Sequence, residues 1–228
     1  MSRSSPTDSF MSEGKLRNYN SERGARAYRD DYSNKVHRKL SDKLERKILA
    51  RYFDRIGPVD TMLDCPCGAG RLLSFFQARA KQVYEGDWSQ TMLNLNREDH
   101  RDRAAGGNGV PYVRCSALEI PFADRQMDLV VSIRLSHHLE KVTDRENHLR
   151  ELIRVADKAV IATWFSATSL KNRLRQLRVR LVGKRPKNTL HTARVRKIAA
   201  ECGFRMVSAT PLSRLSSGHV FGLFLRTK

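Results

Sequence analysis

Apolar and aromatic residues recur at helical spacing through residues 21–56, in a strongly charged background: Ala25, Tyr28, Tyr32, Val36, Leu40, Leu44, Ile48, Leu49, Tyr52 and Phe53. The spacing predicts two helices with a break around 39–41, where Ser41 stands ahead of Glu45 near a helix start, and Gly57-Pro58 ends the second. Beyond Pro58 short apolar runs alternate with helical stretches. Strands are predicted at 61–63, 82–86, 110–114, 127–133 and 159–165, and helices at 71–80, 89–103 and 143–155, with a loop at 104–109. The run 127–133 is apolar on both faces, as a strand in a covered parallel sheet must be. A basic amphipathic helix follows at 168–182, then a loop at 184–188 and a helix at 192–202 that Gly203 closes. Strands at 204–209 and 220–226 are joined through Pro211 and the Ser216-Ser217-Gly218 turn, which predicts an antiparallel edge pair. The expected fold is α/β: a Rossmann-like, doubly wound, mostly parallel seven-stranded sheet with an antiparallel edge strand and helices on both faces.

Three regions are expected. Residues 1–18 are polar and read as a disordered tail, 19–57 as a helical cap, and 58–228 as one domain carrying a basic helical insertion at about 168–187. Forty per cent apolar residues are enough for a core of ordinary size. The longest apolar stretches, such as 128–133 and 159–165, fall far short of the roughly 20 residues that a spanning helix needs. Residues 1–10 are Ser-rich and have no apolar signal-peptide segment. The expected location is therefore cytoplasmic, with the four cysteines as reduced thiols.

Charge changes this picture when it is divided. The net +19 is uneven: residues 1–157 hold 27 basic and 23 acidic groups, net +4, whereas 158–228 hold 16 basic groups against the single acid Glu201, net +15. A one-sided block suits a polyanionic partner, whether nucleic acid, an anionic membrane surface or a phosphorylated substrate, although a solvated basic face would look the same. Within 168–187, Leu170, Leu174, Leu177 and Leu181 form one stripe, flanked by Lys171, Arg173, Arg175, Arg178 and Arg180 and followed by Lys184, Arg185 and Lys187. Such a segment either packs its leucines on the domain as a lid or lays them on an anionic bilayer surface, giving peripheral attachment.

The loops carry the chemistry. The first strand runs into Asp64-Cys65-Pro66-Cys67-Gly68-Ala69-Gly70-Arg71, the place where strand ends and a helix N-terminus meet in an open α/β sheet. The second strand ends in Gly86-Asp87-Trp88-Ser89, with an acid placed to suit a ribose diol. The third is followed by Cys115-Ser116-Ala117-Leu118-Glu119-Ile120-Pro121-Phe122. The fourth, through Ser132, leads into Arg134 and then Ser136-His137-His138-Leu139. In this order and spacing, over about residues 60–165, the chain resembles the class I S-adenosylmethionine-dependent methyltransferases. It is most similar to the small-molecule type that includes the ubiquinone/menaquinone C-methyltransferases.

The resemblance implies S-adenosylmethionine as cofactor and a role for each matching position. Asp64 and the Gly68–Gly70 backbone would hold the methionine part, Asp87 the ribose hydroxyls, and Trp88 would pack on the adenine. Ala117 and Leu118 would line the adenine pocket, with Ser132 and Arg134 near the methionine and the acceptor. Two positions depart from the family pattern. Pro66 replaces the first loop glycine, so that position has no N–H and a fixed φ. Ser116 stands where the family has an acid, leaving a hydroxyl or a backbone carbonyl to meet the adenine amino group. A dinucleotide dehydrogenase would want a third glycine where Leu73 stands. No metal site is expected, since Cys65 and Cys67 are too close for the usual zinc spacing and Cys115 and Cys202 have no partner pattern.

The acceptor side is less defined. His137 or His138 would serve as general base, having an unperturbed pKa near 6.5; otherwise one packs beneath the sheet end and the other faces solvent. Arg134 would steer an anionic acceptor, and Tyr28 or Tyr32 would cap the site from the N-terminal helices. The expected reaction is in-line methyl transfer to a small or lipid-like acceptor. The alternatives are an RNA or protein methyltransferase using the basic C-terminal third, and a non-catalytic cofactor-binding partner subunit. Nucleic acid is the weaker partner, because no Asn-Pro-Pro-Tyr-type motif and no RNA-binding module is present in the sequence.

Overall fold

Seven short runs rich in β-branched and apolar residues pair into one sheet, in the order β3-β2-β1-β4-β5-β7-β6. The computed structural model describes residues 11–100, 109–168, 188–213 and 217–227. The strands are β1 (Val59–Asp64), β2 (Ala80–Asp87), β3 (Tyr112–Arg114), β4 (Met127–Ser132), β5 (Ala156–Phe165), β6 (Phe204–Pro211) and β7 (His219–Arg226). β1 to β5 run parallel, and β7 enters antiparallel between β5 and β6. The order reverses between β1 and β4, which is where an open α/β sheet leaves a crevice beyond its strand ends.

Helices cover both faces. On one lie α3 (Val36–Ile56) and the short α4 (Leu73–Gln77), with Ile48, Leu49, Tyr52, Phe53, Leu73 and Phe76 packed on Met62, Leu129, Val131 and Ile161. On the other lie α6 (Val142–Val155) and α7 (Thr192–Glu201), whose Leu149, Leu152, Val195 and Ile198 meet Val130, Val160 and Trp164. The remaining helices, α1 (Glu13–Asn20), α2 (Glu22–Asn34) and α5 (Gln90–Asp99), gather at the β2–β3 end around Ala25, Met92 and Leu95. The sheet is thus doubly wound and mostly parallel, with an antiparallel pair at one edge.

Several expected boundaries move. The N-terminal stretch is not wholly a polar tail: α1 begins at Glu13, and Met11 before it is buried. The helical break falls at Lys35 rather than 39–41, because Ser41, Asp42 and Glu45 point their polar groups at arginines instead of capping a helix end. The helix expected at 71–80 shrinks to Leu73–Gln77, since the turns after β1 run on to Leu72 and β2 already starts at Ala80. The basic segment expected as a helix at 168–182 lies outside the described residues from 169 onward.

Tyr52 fastens α3 to the antiparallel edge. Its buried hydroxyl donates to the Phe221 carbonyl at 2.8 Å and lies 2.9 Å from Thr210 Oγ1 and 3.2 Å from Ser208 Oγ. Removing that hydroxyl leaves the Phe221 carbonyl without its side-chain donor. Tyr52→Phe is expected to lower unfolding stability by about 1–2 kcal/mol, read as a shifted denaturant midpoint with unchanged slope.

Candidate active site

The crevice at the β1/β4 reversal opens into a cavity lined by both loops and open to solvent at its mouth. Its floor is the loop after β1. Cys67 N donates to the Gly86 carbonyl (2.8 Å) and Gly70 N to the Cys67 carbonyl (3.2 Å), folding the backbone back on itself. Gly68 and Gly70 have φ of +57° and +73°, and a Cβ at Gly70 would stand 2.0 Å from Asn96 Oδ1. Asn96, on α5, is thus the wedge under the loop, and its Nδ2 donates to Glu85 Oε2 at 2.7 Å. Pro66 lines the cavity and follows a cis peptide bond.

Asp87 is spent partly on building the site. Its Oδ2 accepts from Gly68 N at 2.9 Å and its Oδ1 from Ser89 N at 2.8 Å, so one carboxylate clamps the β1 loop to the β2 end. Ser89 in turn caps α5 by accepting from Met92 N and donates its hydroxyl to the Tyr19 carbonyl (2.8 Å). Burial pushes the Asp87 carboxyl up to about 6, against the two N–H bonds that favour its anion. Burial lifts Glu85 to about 8. Asp64 is pushed well above the carboxylate range, first by burial and then by Glu85 beside it, with Arg71 pulling the other way. Asp64 Oδ1 is buried on the cavity wall without a hydrogen-bond partner.

Beside this acidic floor stands an ion-pair frame. Glu45, fully buried in α3, accepts from Arg71 at Oε2 (2.7 Å) and from Arg134 Nε at Oε1 (2.8 Å). Arg71 also pairs with Asp42, and Arg134 Nη2 donates to Ser41 Oγ (2.8 Å). Arg134 has φ of +65°, a strained conformation for a residue with a side chain. Its N–H donates to Thr163 Oγ1 (2.7 Å), and Glu45 holds its other end.

The expected site residues divide. Asp64, Pro66, Gly68, Asp87, Trp88, Ala117, Arg134 and His138 line the cavity; Gly70 supports it from beneath. Tyr28 covers it with Met11 and Tyr19, which the sequence did not single out. Ser132, Ser116, Leu118 and His137 do not reach it. Ser132 Oγ lies 2.9 Å from His148 Nε2, and His148 Nδ1 lies 2.9 Å from the Ala117 carbonyl. A carbonyl only accepts, so Nδ1 carries the proton and Nε2 takes the Ser132 hydroxyl. Burial holds His148 down at about 4, which keeps it neutral. Ser116 Oγ accepts from Leu118 N (3.1 Å), and Leu118 packs against the core instead. His137 stacks on Phe165 and His219, with centroids 4.4 and 4.9 Å away, leaving only His138 on the cavity wall. Glu45, Asn96 and His148 carry no motif and were not legible as functional; a lone buried acid in a lysine-rich helix reads as surface.

With this geometry in place, the likeness to known proteins has content. Residues 63–161 match the methyltransferase-domain family. The fold is that of the class I S-adenosylmethionine-dependent methyltransferase structures it superposes on. In sequence the chain is similar to the ubiquinone/menaquinone biosynthesis C-methyltransferase UbiE. It is 34% identical over 111 residues to that of Xanthomonas oryzae pv. oryzae, covering 46% of this chain and 42% of that protein. It is 32% identical over 131 residues to that of Xylella fastidiosa, half of each chain. The chain spans about half the length of the curated relatives it matches. Among solved structures, magnesium protoporphyrin IX methyltransferase from Synechocystis PCC 6803 with bound SAH superposes with a TM-score of 0.76. At 17% identity, that likeness covers 94% of this chain and all of that one. The N-methyltransferase NodS from Bradyrhizobium japonicum WM9 gives 0.67 at 13% identity, over 95% and 98%.

The site's frame makes its own prediction. Deleting the Glu45 carboxylate leaves two largely buried guanidinium groups facing each other. Glu45→Ala is expected to lose about 3 kcal/mol or more of stability, while Lys47→Ala, at an exposed position of the same helix, loses under about 1 kcal/mol; parallel urea titrations compare them.

Proposed function

We propose that the protein transfers the methyl group of S-adenosylmethionine to a small or lipid-like acceptor. The observation that carries this reading is the cavity itself: an acidic floor of Asp64 and Asp87, roofed by aromatic rings, at the strand-order reversal of a methyltransferase domain. Two buried carboxylates with raised pKa values are short of positive charge, and a ligand bearing an ammonium and a sulfonium supplies it. Bound there, S-adenosylmethionine supplies an electrophilic methyl group.

Asp64 Oδ1, without a partner of its own, is the acceptor for the methionine ammonium. Asp87 keeps lone pairs for the ribose hydroxyls while its N–H bonds hold it in place. Trp88 and Ala117 flank the adenine. Arg134 stands at the β4 end between cofactor and acceptor, fixed by Glu45 rather than free to swing. His138 takes a proton from the acceptor where the nucleophile carries one, with Tyr19 edge-on to its ring at 6.1 Å and His137 stacked behind it at 4.1 Å. The catalytic work is alignment and exclusion of water.

In this reading α1 and α2 form the cover of the site, starting earlier than the expected 19, while α3 is a layer of the domain itself, and the basic segment 168–187 meets phosphate, either of an anionic membrane surface or of the acceptor. Among the described residues no helix is long and apolar enough to cross a membrane. The names of the similar UbiE and protoporphyrin enzymes support a small acceptor over a macromolecule. The test is a transfer screen with methyl-labelled cofactor against lipid, metabolite and RNA fractions. Label in the lipid or metabolite fraction is expected; label confined to RNA overturns the acceptor class.

Three further outcomes follow from the site. Asp87→Ala is expected to weaken S-adenosylhomocysteine binding by roughly 10- to 150-fold, the loss of about 1.5–3 kcal/mol for a charge-assisted bond. In the unaltered protein, affinity falls as pH drops through about 6, where Asp87 takes up a proton and loses anionic acceptor strength. Calorimetry across pH 5–8 would show it, and an affinity flat over that window contradicts the assignment. His138→Gln should cut turnover on the identified acceptor with cofactor affinity retained, whereas His137→Gln should leave both nearly intact.

A further inference from the structure

Gly86 stands in β2 between Cys65, at the end of β1, and Cys115, just beyond β3. A Cβ at Gly86 would lie 3.2 Å from the Cys115 sulfur and 3.4 Å from that of Cys65. With no side chain in the way, the two thiols meet across the strand, their sulfurs 3.9 Å apart. Both residues are buried and both line the cofactor cavity. Nothing in their spacing along the chain announces the pair; the fold makes it.

Two sulfurs this close can join or can share an ion. Joining is blocked by topology. β2 runs between β1 and β3, so two strand spacings of about 4.8 Å hold the outer backbones about 9–10 Å apart, whereas a disulfide needs Cα atoms within about 7 Å. Sharing is not blocked. Two metal–sulfur bonds of about 2.3 Å span the observed 3.9 Å at an angle of about 116°, between tetrahedral and trigonal. We propose that Cys65 and Cys115 form a two-thiolate site for a soft d10 cation such as Zn(II), and that its occupancy excludes the cofactor.

The surroundings favour a cation. The Asp87 carboxylate acts on both thiols, disfavouring their anions and attracting positive charge to the same place. The hydrogen bond between the two thiols pulls the Cys115 thiol down and, with burial, pushes the Cys65 thiol up. Binding exchanges two S–H protons for two metal–sulfur bonds, with no change of oxidation state. Among the described residues no group of three or more His, Cys, Asp or Glu is gathered to hold a metal. With two thiolates as its protein ligands and solvent in the remaining positions, the ion is exchangeable rather than structural. The exclusion of cofactor rests on the reading above; the cation site does not.

The test uses the reduced full-length chain. Zn(II) is titrated by calorimetry and Cd(II) by ultraviolet absorption, where sulfur-to-metal charge transfer reports thiolate ligands. One ion per chain is expected, with proton release and a band for two sulfurs. Cys65→Ser and Cys115→Ser should each weaken binding roughly tenfold or more, with Cys202→Ser unchanged. Prior loading with S-adenosylhomocysteine should block the ion. No binding, binding without the thiolate band, or binding that survives in both serine variants overturns the site. If a serine variant loses its folded circular dichroism signal, the wild-type band decides alone: two sulfurs per Cd(II) support the site and fewer overturn it. Simultaneous binding of ion and S-adenosylhomocysteine overturns the exclusion. Failure of the metal-free protein to bind S-adenosylhomocysteine counts against the cofactor reading instead.

Discussion

Glu45 is a carboxylate with no access to water, and everything at the mouth of the sheet is arranged to tolerate it. An isolated buried anion is prohibitively unfavourable, so two guanidinium groups must converge on it. Arg71 comes from the cofactor loop and Arg134 from the end of β4, the two segments that face each other where the strand order reverses. One charge on α3 therefore fixes the separation of the two loops that define the cavity. It also offsets the strain of Arg134, whose left-handed backbone would relax if its side chain were untethered.

The adjoining wall poses the converse problem. Asp64, Glu85 and Asp87 crowd negative charge into a buried corner, and the protein answers it unevenly. Glu85, raised to about 8, is largely protonated at neutral pH and bonded to Asn96. Asp87 is steadied by two backbone N–H groups. Asp64 is left with an oxygen that nothing in the chain satisfies. The arginines are thus neutralised by Glu45 while Asp64 keeps an oxygen without a partner, which under the proposed function is the place for a cationic ligand head.

The strands were legible because their signal is local: 127–133 and 159–165 are apolar on both faces, and β4 and β5 are buried centrally as that pattern demands. The loop positions were legible because glycine and acid stand at strand ends, where the chemistry of turns constrains them. What was not legible depended on distant partners. Ser132 and His137 occupy strand-end positions that suit a ligand, yet His148 on α6 takes the hydroxyl of one, and Phe165 and His219 take the ring of the other. The helical break moved to Lys35 because Glu45 and Ser41 answer to arginines far along the chain. Such partners have no periodicity to betray them.

The N-terminal helices sit over the cavity through Met11, Tyr19 and Tyr28, but their fastening to the rest is thin. Ser89 donates to the Tyr19 carbonyl, Thr91 to that of Asn20, and Arg29 pairs with Asp99 at the surface, with Ala25 as the buried apolar anchor of α2. Exposed bonds such as those of Thr91 and Arg29 break at a small fraction of the free energy of global unfolding. A molecule enclosed beneath them thus has a residence time governed by detachment of the cover, and that time shortens with rising salt as the Arg29–Asp99 pair is screened.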